Sequence, residues 1–223
     1  MRNEQSLEDT IEKEGDSGLE STPHHYVLHN KDKIMDKFRE ILLLSGFNPS
    51  SNPLRRTPER QWEVLRTMTE GYVIDPTLDR MYRDYALGDL PGVRICPGIH
   101  FVSLCEHHFV PFYGVVDIAY VPGNGKVTGL SKLPQLVQKY ARRPQLQEKM
   151  AAQIADELMQ RCEVSGVMVI ASGYHTCEMI EGVKEGFHRD KPYITPEIRG
   201  SFTADTGLRE ATMMHLGRLA KNV

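Results

Sequence analysis

The stretch FVSLCEHHFVPFYG, Phe101 to Gly114, sets one cysteine and two adjacent histidines inside an otherwise apolar run. Such side chains are costly to bury unless partnered, so Cys105, His107 and His108 call for a common reason. A second group, His175 and Cys177 in SGYHTCEM, follows much later in the chain. A Cys-x-x-His spacing lets one tight turn aim Cys105 and His108 at a single ion. A His-x-Cys pair on a strand presents both side chains to one face, because strand side chains alternate with period two. Thiolate and imidazole together suit zinc. Three readings stand open on spacing alone: partnered core groups, a four-ligand structural zinc, and a catalytic zinc with three protein ligands and a histidine to spare for proton transfer. The joint pattern favours the last.

The surrounding segments predict an α+β fold. Ile34, Met35, Phe38, Ile41 and Leu42 recur at helical spacing from Lys31 to Gly46. TPER opens a second helix, with Thr57 as N-cap and Pro58 at N1, and Trp62, Val64, Leu65 and Met68 as its apolar positions. GIHFVSLC and GVVDIAYVPG have strand composition and flank a turn-prone segment. LSKLPQLVQKYARR and PQLQEKMAAQIADELMQRC read as consecutive helices broken at Pro144, and GVMVIASGYHTCEMIEGV as a strand. Residues 184–206, rich in Gly, Pro and Thr, resist assignment, and a last helix is expected from Leu208 to Leu219. Helices grouped between strand pairs favour α+β over a doubly wound sheet.

Residues 1–24 are acidic and nearly free of large apolar groups, which predicts a disordered tail before a single domain spanning 25–223. The net charge of −3 gives no electrostatic reason to expect a nucleic acid or an anionic membrane as partner. No apolar run approaches the roughly 20 residues of a membrane helix. The N-terminus has no apolar h-region, so the expected compartment is the cytoplasm. Cys96 and Cys162 lack polar company and read as packing residues.

SLCEHHFVPFYG, VTGLSKLPQLVQKYARRPQLQEKM, HTC and TPER, in that family's order from about residue 32 to 220, resemble the signature segments of GTP cyclohydrolase I. The resemblance implies a tunnelling fold, an antiparallel sheet with helices on one face. It also implies subunits that join their sheets into a barrel and stack as a toroid, usually a decamer, with active sites between subunits. It implies Cys105, His108 and Cys177 as zinc ligands, and His107 and His175 as proton-transfer groups. Gln147 and Glu148 would face the guanine, and Arg60, Ser131 and Lys132 would line the ribose and phosphate end. The implied reaction is hydrolytic opening of a guanine imidazole ring, with release of formate and closure to a dihydropterin. Histidines with an ordinary pKa near 6.5 suit the proton movements.

The chain departs from the family at the phosphate end. Glu63, Gln135 and Glu181 stand where the family usually carries cations. Each charge-assisted bond lost there is typically worth about 1.5–3 kcal/mol. Either the alignment is shifted there, or Lys184, Arg189 or Arg199 restores the charge from a neighbouring position, or the substrate is a guanine nucleotide or nucleoside with fewer phosphates than GTP. A zinc-stabilised toroidal scaffold without turnover is the alternative from a different class. The surplus histidine beside a full ligand set argues against it.

Overall fold

The computed structural model describes residues 22–74, 92–123, 127–180 and 191–219. It divides the chain into two compact units, residues 1–74 and 75–223, where the sequence predicts one domain after the tail.

In the first unit, α1 (Pro23–His29), α2 (Lys31–Leu44) and α3 (Thr57–Thr69) pack together. The first helix begins inside the segment expected to be tail. Thr22 caps it, accepting the amide hydrogen of His25, and Pro23 occupies the first turn. Trp62 of α3 holds the unit together: its indole Nε1–H donates to the Val27 carbonyl at 3.0 Å, and the Lys31 ammonium lies 4.3 Å from its ring centroid. Buried His24 meets the Thr69 hydroxyl at 3.1 Å. Thr57 is the first helical residue and Arg56 the cap, with no side-chain capping bond.

The second unit is built on β1 (Arg94–Cys105), β2 (Pro111–Pro122), β3 (Pro144–Gln145), β4 (Val164–His175) and β5 (Tyr193–Gly200), in the spatial order β3-β1-β2-β4-β5. β1, β2, β4 and β5 are antiparallel neighbours, but β3 runs parallel to β1, so the sheet is mixed rather than purely antiparallel. The strand β5 falls in the segment that composition left unassigned.

Two helices cover one face. α4 (Lys132–Ala141) buries Leu133, Leu136, Val137 and Ala141, and α5 (Gln147–Arg161) buries Met150, Ala151, Ile154, Ala155 and Leu158. These three- and four-residue spacings give each helix one apolar stripe. The stripes meet Phe112, Val116 and Ile118 of β2 and Val167, Val169 and Ala171 of β4, which alternate inward. Helices are not confined to that face. Phe202 of α7 (Ser201–Ala204) and Leu216 of α8 (Thr206–Leu219) close over Ala119 and Met168 on the other side. α8 starts two residues before the predicted Leu208.

Helices α4 and α5 are joined by charge. The Glu157 carboxylate, 7% exposed, accepts both bonds from the Lys139 ammonium at 2.9 Å, one from the Arg161 guanidinium at 2.9 Å, and one from the Tyr140 hydroxyl. Burial alone would raise its pKa, but the Tyr140, Lys139 and Arg161 bonds outweigh this and hold it below the ordinary carboxyl value. The stabilisation is therefore full at neutral pH and lost as pH falls through the carboxyl range. Glu157→Gln should cost about 3 kcal/mol at neutral pH, since it leaves the half-buried Lys139 ammonium and Arg161 guanidinium without their counter-charge. The gap to wild type, read from denaturant midpoints, should narrow on acidification toward about pH 3.

Candidate active site

β1 ends at Cys105, and the chain turns back within Glu106–Val110 to enter β2 at Pro111. Two backbone bonds pin this turn: Cys105 N–H to Val110 O and Phe109 N–H to Cys105 O, both 2.9 Å. Phe109 sits at φ 55°, a left-handed conformation that costs a non-glycine residue about 1 kcal/mol or more. The turn's outer flank is tied to the sheet edge by Glu106 N–H donating to the Gln145 carbonyl at 3.0 Å.

This turn gathers donors. Ligand atoms of Cys105, His107 and His108 all lie within 4.8 Å of one another, and Cys105 Sγ is 3.5 Å from His108 Nδ1. The two imidazoles stand nearly perpendicular, at 86°. Cys105 is buried while both histidines are exposed. Burial would raise the Cys105 pKa, but the His108 ring, the amides of His107 and His108 and the Cys177 thiol all stabilise its thiolate, and the net shift is downward. Cys177 moves the other way. Burial raises it first, and the negative charge on Cys105 adds to the effect.

Cys177 therefore reaches the turn, though not as alternation predicted. β4 ends at His175, and Cys177 lies in the first turn of α6 (Thr176–Ile180). The Thr176 hydroxyl donates to the Pro111 carbonyl, which anchors α6 beside the start of β2. The backbone changes from strand to helix at Thr176, so strand alternation stops there and His175 and Cys177 do not share a strand face. The clustered Cys105, His107 and His108, with the Cys177 thiol facing Cys105, make a donor set that fits zinc.

His175 has its own surroundings. Its ring stacks on Phe112 at 4.7 Å and 6°, with Tyr193 edge-on at 6.4 Å and 89°. Its Nε2 is 3.0 Å from Gln147 Oε1. Burial lowers its pKa, against an opposing pull from Glu148 and Glu178, so the neutral ring is favoured. Glu148 is exposed in the first turn of α5, whereas Gln147 is buried. Ser131 precedes α4 and Lys132 opens it; Arg60 is an exposed residue of α3 in the other unit. Nothing in sequence spacing pointed to Phe112 or to the Gln147–His175 bond, because both depend on strand register.

Among the predicted departures, Glu63 is paired with Arg66 at 2.9 Å, and Arg66 also meets Glu70 at 3.0 Å. Gln135 is exposed on α4. Arg199 is engaged elsewhere: it meets Asp156 and Glu197, each at 2.8 Å, opposite Val167 on β4. That register puts it at the far end of β4 from His175, so it does not restore charge at the site. Glu181, Lys184 and Arg189 lie outside the described residues.

The fold and the site define an α+β protein with a Cys/His group that could hold a metal ion at the rim of its sheet. Residues 34–217 match the family described as GTP cyclohydrolase I. The chain is 39% identical over 181 residues to GTP cyclohydrolase 1 of Hyperthermus butylicus, covering 81% of this chain and 88% of that protein. It is 36% identical over 190 residues to GTP cyclohydrolase 1 of Carboxydothermus hydrogenoformans, covering 84% and 95%. Against the same-named protein of Bacillus subtilis it is 34% identical over 189 residues, covering 85% and 97%. The chain belongs to the GTP cyclohydrolase I family.

Arg199→Met should cost about 1 kcal/mol through its lost ion pairs. It should leave KM for a guanine substrate within about twofold. Steady-state kinetics check the second statement, and a large rise in KM would place Arg199 at the phosphates after all.

Proposed function

We propose that the protein opens the imidazole ring of a guanine compound by zinc-dependent hydrolysis, releasing formate and yielding a dihydropterin-type product. The observation that carries this reading is the gathering of Cys105, His107 and His108 on one turn, with the Cys177 thiol of α6 facing Cys105, which offers three ligands and leaves one histidine over. Cys105, His108 and Cys177 would hold the metal, with thiolate character already favoured at Cys105. Zinc, when bound, supplies Lewis acidity and lowers the pKa of water toward about 7.

The chain's own groups do the rest. His107, exposed beside the ligands, is placed to pass protons to and from the ring atoms of the substrate. His175, neutral and oriented by Phe112, is a second proton carrier. The exposed Glu148 carboxylate can accept hydrogen bonds from the N–H donors of guanine. Ser131 and Lys132 would meet the ribose and phosphates.

The substrate is GTP or a less phosphorylated guanine compound. Two of the three replaced cations are described, Glu63 and Gln135, and the paired Arg199 offers no compensation. The working form is a closed homo-oligomer, a decamer, in the cytoplasm. In support, the sheet face away from α4 and α5 leaves Val102, Tyr113 and Ile194 exposed at 44%, 45% and 58%. An apolar strip of that kind is what barrel closure would cover. No described helix is long and apolar enough to cross a membrane.

The purified protein should carry about one zinc per chain by elemental analysis, and Cys105→Ala should lose both metal and activity. A metal-free protein with full activity would end this reading. His107→Ala and His175→Ala should keep the zinc while turnover falls about 10²–10⁴-fold.

Substrate preference is read by offering GTP, GMP and guanosine and following pterin absorbance. Restoring cations with Glu63→Lys, Gln135→Arg and Glu181→Arg should lower KM for GTP about tenfold or more, while KM for guanosine stays unchanged. Equal changes for both would show that these positions do not face phosphate.

A further inference from the structure

We propose that Gln147 acts on the reaction through His175, as a positioning residue that decides which ring nitrogen carries the proton, rather than by reading the substrate base. The inference rests on the reading of His175 as a proton-transfer group.

Gln147 is 1% exposed, at the start of α5, and its amide is fully engaged by the protein. Its Nε2 lies 3.0 Å from the Ala171 carbonyl, 2.9 Å from the Tyr193 carbonyl and 3.1 Å from the Thr195 hydroxyl oxygen. Carbonyl oxygens only accept, so the NH₂ end must face β4 and β5. The amide cannot be turned over without setting its oxygen against two carbonyls. Oε1 is thereby directed at the ring of His175, 3.0 Å from Nε2. An amide oxygen only accepts, so Nε2 carries a proton and Nδ1 is the nitrogen left to gain or lose one.

The sequence makes room for this contact at one place. A Cβ on Gly173 would lie 2.4 Å from Gln147 Oε1. That oxygen ends a side chain already held at its amide nitrogen by three acceptors, so it has no cheap retreat. The ring plane is set separately by the Phe112 stack and the Tyr193 edge, which leaves the hydrogen bond to choose the tautomer. Neighbouring residues on a helix point in different directions. Glu148 can face a substrate while Gln147 faces the strands.

The test is a double-mutant cycle on the zinc-loaded, full-length protein, using whichever of GTP, GMP and guanosine it opens fastest. Gln147→Met removes both the amide donors and the acceptor at similar volume. Gly173→Ala is the second variant, displacing Oε1 while leaving Gln147 chemically intact. Each should lower kcat roughly 10–100-fold, with KM within about twofold and zinc content unchanged. In a His175→Ala background neither should lower kcat further, because the effect passes through that ring.

A large rise in KM with kcat retained would overturn the proposal and make Gln147 a base reader. A full additional loss in the His175→Ala background would overturn it in favour of a general structural role. Those two results leave the proposed function standing. Wild-type turnover by His175→Ala would instead overturn the assignment of His175, and this inference with it. If Gln147→Met fails to fold by circular dichroism, Gly173→Ala decides between the outcomes on its own.

Discussion

The antiparallel register of β2 against β4 is the constraint on which the site depends. Phe112 pairs with His175 at one end of this ladder and Tyr120 with Val167 near the other. The same register that buries Val116 and Ile118 against Val167 and Val169 brings the end of β4 to the start of β2, beside the Cys105 turn. Because side chains alternate with period two, a slip of one residue would expose the apolar set and turn His175 away from α5. Core burial and site assembly are thus one choice, enforced by every apolar pair along the two strands.

The site is also held from its flanks. β3 adds two residues alongside Leu104 and Cys105, and the Gln145 carbonyl accepts from the Glu106 amide. α5 begins immediately after β3, so the strand that braces the metal turn also sets where Gln147 and Glu148 project. Closely spaced backbone bonds hold Phe109 in a conformation it would not choose alone, and that conformation closes the turn around Cys105, His107 and His108. On the other side, Thr176 bonds to the Pro111 carbonyl and carries Cys177 toward the Cys105 thiol. The Cys and His donors thus come from two backbone segments, the turn after β1 and α6, each anchored by its own hydrogen bonds.

Local partners decide what each charged or titratable group can offer. At the turn after β1, hydrogen-bond donors converge on Cys105 and favour its thiolate. In the first unit, Glu63 is met by Arg66, which itself faces Glu70. Arg199, a cation by composition, is spent on Asp156 and Glu197 at the opposite end of the strand. Counting cations along the sequence therefore overstates what a polyphosphate would meet.

Much of this was legible without coordinates. Cys105, His107, His108, His175 and Cys177 stand out because thiols and imidazoles are out of place in apolar runs, and the helices of the second unit follow from their apolar spacing. The helix at Pro23 could have been read from Thr22-Pro23, a cap followed by the residue that best starts a helix, but acidic composition nearby outweighed that local signal. Other features were beyond any spacing rule. Cys177 moved from strand to helix because α6 is anchored across the sheet by Thr176, and β3 is only two residues long and exists because β1 accepts it as a neighbour. Gln147 looked like a polar helix residue facing a ligand; only the register of β4 and β5 places two carbonyls and a hydroxyl over its amide and turns its oxygen to His175. Residue types alone determine which chemistry is available, because that is a property of each side chain. Which atom faces which is a property of the paired strands, and it was decided by the tertiary structure.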